Sequence, residues 1–450
     1  MRNVTLDADT PTSAHRTAAA CLGDAIDAVL PDRVVRDSVS LRGDTLAIGE
    51  ESYDLSEFER VVVVGGGKAA DGVADALEAV LGDRIDAGAV VTPTPGEGGR
   101  IERLPGDHPV PSERGVESAR RLVELLDDAD EDTLVLAVVT GGASAVIPTP
   151  AEGVSLSDLR ATTDELLRSG ADISELNAVR KHLSTLKGGG LARRAAPATV
   201  VGLVFSDVVG NDLGVIASGP TAPDETTYGD ALSVLDRYDL SVPDSVRDRL
   251  ERGAEGDLPE TPTRGDPVFE SVRNHVLADG HTALSAARET ARERGYDAFV
   301  LSSRVRGEAR EAAKTHDAIA EEIAATGDPV SPPAVVLSGG ECTVTVRGDG
   351  EGGPNLEFCL SAARELETAA VVAAVDSDGE DGGTDVAGAV VDDRTVESGD
   401  EAAAALADND ALPYLRARNA LVRTGPTGTN VNDLRVVVVA GDEGSDAEET

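Results

Sequence analysis

Two hydrophobic periods alternate along this chain. The stretch RVVVVGGGKAADGVADALEAVL (60–81) opens on an unbroken run of valines, turns through three glycines and a lysine, and continues with apolar residues at helical spacing. Unbroken β-branched runs read as strands buried on both faces, and the helical spacing between them reads as crossover helices. The same alternation predicts a helix over 13–30, strands over 87–93 and, ending in glycines, 133–144, and a helix opened by Pro111 and Ser112. Two helices over 155–170 and 174–190 and a strand in ATVVGLVFSDVVG (198–210) follow. Past PDSVRDRLERGAEGDLPETPTRGDP (243–267), charged and rich in proline and glycine, the pattern resumes with helices over 281–295, 307–327 and 355–367 and strands over 297–303, 334–340, 342–348, 370–379 and 435–441. This predicts an α/β protein of two α/β domains. The N-terminal one (1–245) is a Rossmann-like parallel sheet and the C-terminal one (269–440) is smaller, with an interdomain segment (246–268) and an acidic tail (441–450).

Composition sharpens the setting. At 450 residues the chain is long for one core, which favours two domains. Its 83 acidic against 40 basic residues give a formal charge of −43, so self-repulsion needs screening, as in a salt-filled cytoplasm of extreme halophiles. Nucleic acid is excluded as a partner on charge. No stretch approaches the roughly 20 apolar residues of a membrane span, no signal-peptide core opens the chain, and Cys21, Cys342 and Cys359 lack metal or disulfide spacing. The expectation is a cytoplasmic enzyme, a homodimer, with no membrane association.

Against this background lysine is conspicuous: Lys68, Lys181, Lys187 and Lys314 are the only four. Lys68 follows the valine strand, where free N–H groups and ligands gather in open α/β sheets. Gly65, Gly67 and Ala70 match a permissive dinucleotide pattern, but the next strand runs into TPTPGEGG without the acid that would hold a ribose. The triphosphate-loop pattern fails too, since Ala69 follows the lysine. A small-anion site remains, with Gly66, Gly67 and Lys68 around a carboxylate or phosphoryl group; a tight turn with an exposed lysine explains the pattern equally well.

TGGASAV (140–146) repeats the strand-to-glycine logic on the same sheet edge, with Ser144 as an anion ligand or a helix cap. Arg180 and Lys181, with His182, end a helix, where cations also complement the dipole. His108 stands in a proline-rich loop, a position that is more often structural. Asp207 ends a buried strand. DSDGEDGGTD (376–385) opens like a calcium loop, but its glycine falls at the fourth position and Ala387 takes the closing glutamate's place. Asp207 and Asp378 are therefore candidates for Mg²⁺ on nucleotide phosphates or for proton transfer. RTGPTGTNVND (423–433) offers hydroxyls and amides to phosphate or sugar, or forms a tight turn.

Taken in order, GGGKAA, GDHPVPSERG, TGGASAV, NAVRKHLSTLKGGGLA, SDVVGNDLGVIASGPTAPD, SGGECTV, GGPNLEF, DSDGEDGGTDVAGA and TGPTGTNVND resemble the glycerate 2-kinase family, whose C-terminal part is the MOFRL domain. The resemblance runs over 13–438. It implies ATP-dependent phosphorylation of D-glycerate at its 2-hydroxyl, in a cleft between two α/β domains, with Mg²⁺ or another divalent cation. It places the family's important lysine on Lys68. With Asp207 as the second catalytic candidate, the substrate is expected on Gly66, Gly67, Lys68, Ser144, Arg180 and Lys181. The nucleotide is expected on Gly339, Gly340, Asn355, Asp378, Thr427 and Asn430. The family's GGRNQE is GGPNLE here, so Pro354 stands where an arginine is expected. Two other readings compete: an oxidoreductase acting on hydroxypyruvate, and a catalytically silent sugar-acid-binding protein.

Overall fold

The computed structural model describes residues 4–7 and 11–441; apart from Gly441, the expected acidic tail lies outside them. The chain forms two compact units, Val34–Leu277 and Met1–Arg33 with Ala278–Thr450. These do not coincide with the boundaries expected from the sequence. The helix Ser13–Ala28 belongs with the C-terminal half: the Thr290 hydroxyl donates to Asp24 at 2.7 Å and the Thr429 hydroxyl to the Val29 carbonyl at 2.8 Å. Its buried stripe of Ala18, Leu22, Ala25 and Ile26 shows that it packs, but periodicity cannot say against what.

The expected interdomain segment is not a linker either. Asp244–Ala254 is a helix of the first unit whose only large apolar residues, Val246 and Leu250, are fully buried. One apolar pair four residues apart suffices to seat a short helix, and its charged outer face makes the sequence look like a loop. It joins the helices Leu156–Ser169, Ile173–His182 and Tyr228–Arg237 around a cluster that includes Leu166, Val179 and Leu235.

The core of this unit is a six-stranded sheet in the order Val272–Ala278, Thr199–Phe205, Thr133–Thr140, Arg60–Gly66, Ala87–Thr92, Glu102–Pro105. The pairings of the last five strands are parallel, and the valines of Arg60–Gly66 are buried on both faces, as the unbroken pattern predicts. From the central strand Arg60–Gly66 the chain first builds toward the Glu102–Pro105 edge, then returns to add Thr133–Thr140 on the other side. The topological switch therefore lies between Gly66 and Thr140, where an open α/β sheet parts its loops. A three-stranded antiparallel sheet (Val39–Arg42, Thr45–Ile48, Glu51–Asp54) is an element the sequence pattern missed.

The second unit carries a seven-stranded mixed sheet. Asp297–Glu308 and Ala334–Thr343 pair in parallel, while Asp433–Val439 runs antiparallel to both Ala334–Thr343 and Ala370–Asp376. The two strands expected over 334–340 and 342–348 are one, Ala334–Thr343.

At Gly65, φ is 141° and a Cβ would overlap the Val138 carbonyl of the neighbouring strand. Gly43, at φ 62°, has open space around it. Gly65→Ala should cost about 3 kcal/mol or more, and Gly43→Ala only the left-handed penalty of about 1–2 kcal/mol. Urea denaturation of the two variants checks this, and equal losses would contradict the close strand approach.

Candidate functional site

Two glycine turns meet at the switch. After Arg60–Gly66, the amides of Gly67 and Lys68 donate to the carbonyls of Val91 (3.0 Å) and Gly141 (2.8 Å), and the Ala69 amide donates to the Thr140 hydroxyl (3.3 Å). This corrects the expectation that Gly66 and Gly67 cradle an anion through their backbone. Gly66 lies in the ladder between Val91 and Val139, and the Gly67 donor is consumed by the neighbouring strand. The glycines are needed instead because a Cβ at Gly67 would overlap the Thr140 hydroxyl. Their effect is to bring the backbone of Lys68 onto that of Gly141.

Gly141 in turn seats Asp207, whose carboxylate lies where any Cβ on Gly141 would be. Desolvation pushes the Asp207 carboxyl up to about 6; its own backbone amide and the charge of Lys68 pull the other way. Beside it, Gly142 at φ 81° is flanked by the His108 ring and the Lys68 side chain, 3.0 Å and 3.2 Å from where its Cβ would be. Lys68, His108, Gly141 and Asp207 thus form one group, in which the histidine is a member the sequence reading set aside as structural.

Next to this group opens a cavity of about 300 Å³ whose polar lining includes His108, Ser144, Arg180, Ser184 and Lys187. The Ser144 hydroxyl shares a 2.7 Å hydrogen bond with Ser218, which donates to Asn177 at 2.9 Å. The Lys187 ammonium donates to the Ser144 carbonyl at 2.9 Å, and burial, with the Arg180 charge added, pushes it down to about 7. Arg180 is itself lowered by burial, and among the described residues no carboxylate offsets that shift. Two cations sharing a desolvated wall without a counter-ion are relieved by an anionic ligand.

Lys181 does not join them. Its ammonium is buried on Asp224 at 3.0 Å, a carboxylate that also accepts from Thr226 and Thr261. Arg180 and Lys181 are consecutive helical residues about 100° apart. One faces the cavity and the other the interior. Lys187, which the shortage of lysine already marked in TLKGGG, takes the place expected of Lys181.

In the second unit the expected nucleotide residues divide. Gly339 and Gly340 are buried in the strand, opposite Leu434 and Asp433, and a Cβ on Gly340 would overlap the Val305 carbonyl. Asn355 is fully buried, donating from its side chain to Asp381 (3.1 Å) and Asp433 (2.7 Å), and Asp433 accepts from the fully buried Arg435. Thr427 is buried and clamps the Ser377 carbonyl at 2.6 Å. All four are buried, and the Asn355 Oδ1 has no hydrogen-bond partner. Asp378 and Asn430 do come together at a half-exposed surface, 3.4 Å apart, and the Thr427 amide donates to the Asp378 carbonyl. Asp376, two residues away, is raised by burial and by the charges of Asp378 and Asp433. Among the described residues no group of three or more His, Cys, Asp or Glu side chains is arranged to hold a metal.

Comparison with known proteins gives two family matches: a domain of unknown function, DUF4147, over residues 17–251, and the MOFRL family over 334–433. The chain is 38% identical to a glycerate 2-kinase of Pyrococcus horikoshii, covering 94% of this chain and 97% of that one. It is likewise 38% identical to a D-glycerate 2-kinase of Thermotoga maritima, covering 95% and 99%. A protein of Agrobacterium vitis bearing the name hydroxypyruvate reductase is 41% identical over 84% of this chain and 87% of its own. Among solved structures, the Thermotoga maritima glycerate kinase superposes with a TM-score of 0.82 at 37% identity, over 94% of this chain and 99% of that chain. A Pyrococcus horikoshii structure gives 0.81 at 36%, over 96% and 100%.

The raised Asp207 has a signed consequence. Its folded pKa of about 6 lies above the unfolded carboxylate value, so wild type loses the stability of the neutral form as pH rises from about 4 to 6. Asp207→Asn lacks this loss. The melting-temperature difference, variant minus wild type, should grow across that window and level off above it; a flat difference would place Asp207 in water.

Proposed function

The chain belongs to the DUF4147 and MOFRL family that holds the glycerate 2-kinases, and from that premise we propose that it transfers the γ-phosphoryl group of ATP to the 2-hydroxyl of D-glycerate. The products are 2-phosphoglycerate and ADP. The observation that carries the reading is the juxtaposition of Lys68 and Asp207 across Gly141, beside the two cations Arg180 and Lys187.

The roles follow from charge. Arg180 and Lys187 take the glycerate carboxylate, and the Ser144 turn orients it. Asp207 accepts the proton of the 2-hydroxyl, a task for which a carboxyl raised to about 6 is better poised than an exposed one. The freed oxygen bonds the γ-phosphorus as the bond to the β-phosphate oxygen breaks and ADP leaves. Lys68 neutralises charge on the moving phosphoryl group, which is most of what phosphoryl transfer asks of a protein.

For the nucleotide side we assign Asp378 and Asn430, the two expected residues that reach a surface. Magnesium bound with ATP needs only one or two protein carboxylates, and Asp378 with the charge-crowded Asp376 is the pair suited to hold it. Held there, the ion would supply neutralising charge to the phosphates. Asp207, already beside Lys68, fits proton transfer better than metal binding. The hydroxypyruvate reductase reading needs a dinucleotide cradle, and at this turn the amides of Gly67 and Lys68 are already spent on Val91 and Gly141. No helix among the described residues is long and apolar enough to cross a membrane, and the three cysteines are free and buried, which supports the cytoplasmic setting we propose.

Lys68→Ala should lower kcat for ADP release with D-glycerate by about 10²–10³-fold, the usual cost of losing one transition-state charge partner. A coupled ADP assay in molar KCl checks it. A variant within threefold of wild type would remove Lys68 from the mechanism.

A further inference from the structure

The cavity beside the glycine turn is larger than the acid assigned to it. Its volume is about 300 Å³, whereas a three-carbon acid displaces on the order of 100 Å³, the share of three or four waters. The cations occupy one part of the lining. The rest of the lining includes Pro109, Pro148, Leu159, Thr163 and Leu167, while Thr162, Leu166, Val179 and Leu183 stand behind it at 1% exposure or less. Positions 159, 162, 163 and 166 fall at i, i+3, i+4 and i+7, one face of a helix. That face is the apolar stripe of LRATTDELL, and in this fold part of it borders a void. Thr162 is 1% exposed, yet its hydroxyl has no hydrogen-bond partner.

We propose that this chamber receives the substituent on carbon 2 of the acceptor, so that the enzyme phosphorylates roughly four- to six-carbon 2-hydroxy acids with largely apolar tails in addition to D-glycerate. The inference rests on the assignment of the acceptor site above. With the carboxylate on Arg180 and Lys187 and the 2-hydroxyl toward Asp207, the remaining substituent is the one group still to be placed, and the leucine-lined chamber is the space that adjoins the cations. Each methylene buried there should tighten binding by about fourfold.

The test uses the full chain with ATP, magnesium, and D-glycerate or D-2-hydroxy-4-methylpentanoate as acceptor. The longer acid is expected to be phosphorylated with kcat/KM within about tenfold of glycerate's, the worth of one to two methylenes at about fourfold each. Thr163→Phe and, independently, the surface-side Leu167→Trp fill the chamber. Each should lower the ratio of kcat/KM for the longer acid to that for glycerate by at least about tenfold. Turnover of glycerate alone, with no calorimetric binding of the longer acid, would overturn the chamber and leave the kinase reading standing. If neither acid is turned over, the kinase reading falls, and calorimetry decides the chamber by itself. Binding of the longer acid to wild type that Thr163→Phe abolishes upholds it; no binding, or binding that survives both fillings, overturns it.

Discussion

A methyl group at Gly67 would overlap the Thr140 hydroxyl, and one at Gly141 would overlap the Asp207 carboxylate. That exclusion is the constraint from which the site follows. Because side chains are absent at these points, two strand exits of a parallel sheet approach through backbone alone. Lys68 can then bond Gly141 through its amide, and the chain after Thr199–Phe205 can lay a carboxylate against the same residue. A lysine and an aspartate distant in sequence thereby share one small volume at the topological switch.

Charge does the rest. In a chain of net charge −43, most cations find a carboxylate, as Lys181 does on Asp224 and Arg103 does on Asp75. Arg180 and Lys187 meet each other instead. Desolvation lowers both and raises Asp207, so the site sets two cations together beside a carboxyl that gives up its proton less readily than an exposed one. In the proposed reaction an anionic acceptor would relieve the first penalty on binding, and Asp207 would use the second in taking the acceptor's proton. The same environment that costs stability is what gives the groups their chemistry.

Much of this was legible in the sequence. Valine runs ending in glycine gave both strand exits, and the rarity of lysine drew attention to Lys68 and to TLKGGG. What stayed hidden depends on neighbours that periodicity does not report. Whether the amide of Gly67 is free is decided by the register of Ala87–Thr92, and whether Gly340 faces a ligand is decided by Val305 on an adjacent strand. Arg180 and Lys181 look equivalent in VRKH, yet about 100° of helical rotation sends them to opposite fates. The helix Ser13–Ala28 and the charged helix Asp244–Ala254 were misplaced for a related reason: amphipathicity shows that a face is buried, not which body buries it.

In the proposed reaction this geometry directs a phosphoryl group to the hydroxyl on carbon 2. Phosphorus NMR of a reaction holding D-glycerate, ATP and magnesium in molar KCl reads activity and position at once. The expected products are ADP and a phosphate ester coupled to a single methine proton, that of 2-phosphoglycerate. An ester coupled to two methylene protons, or no ester at all, would contradict that reaction.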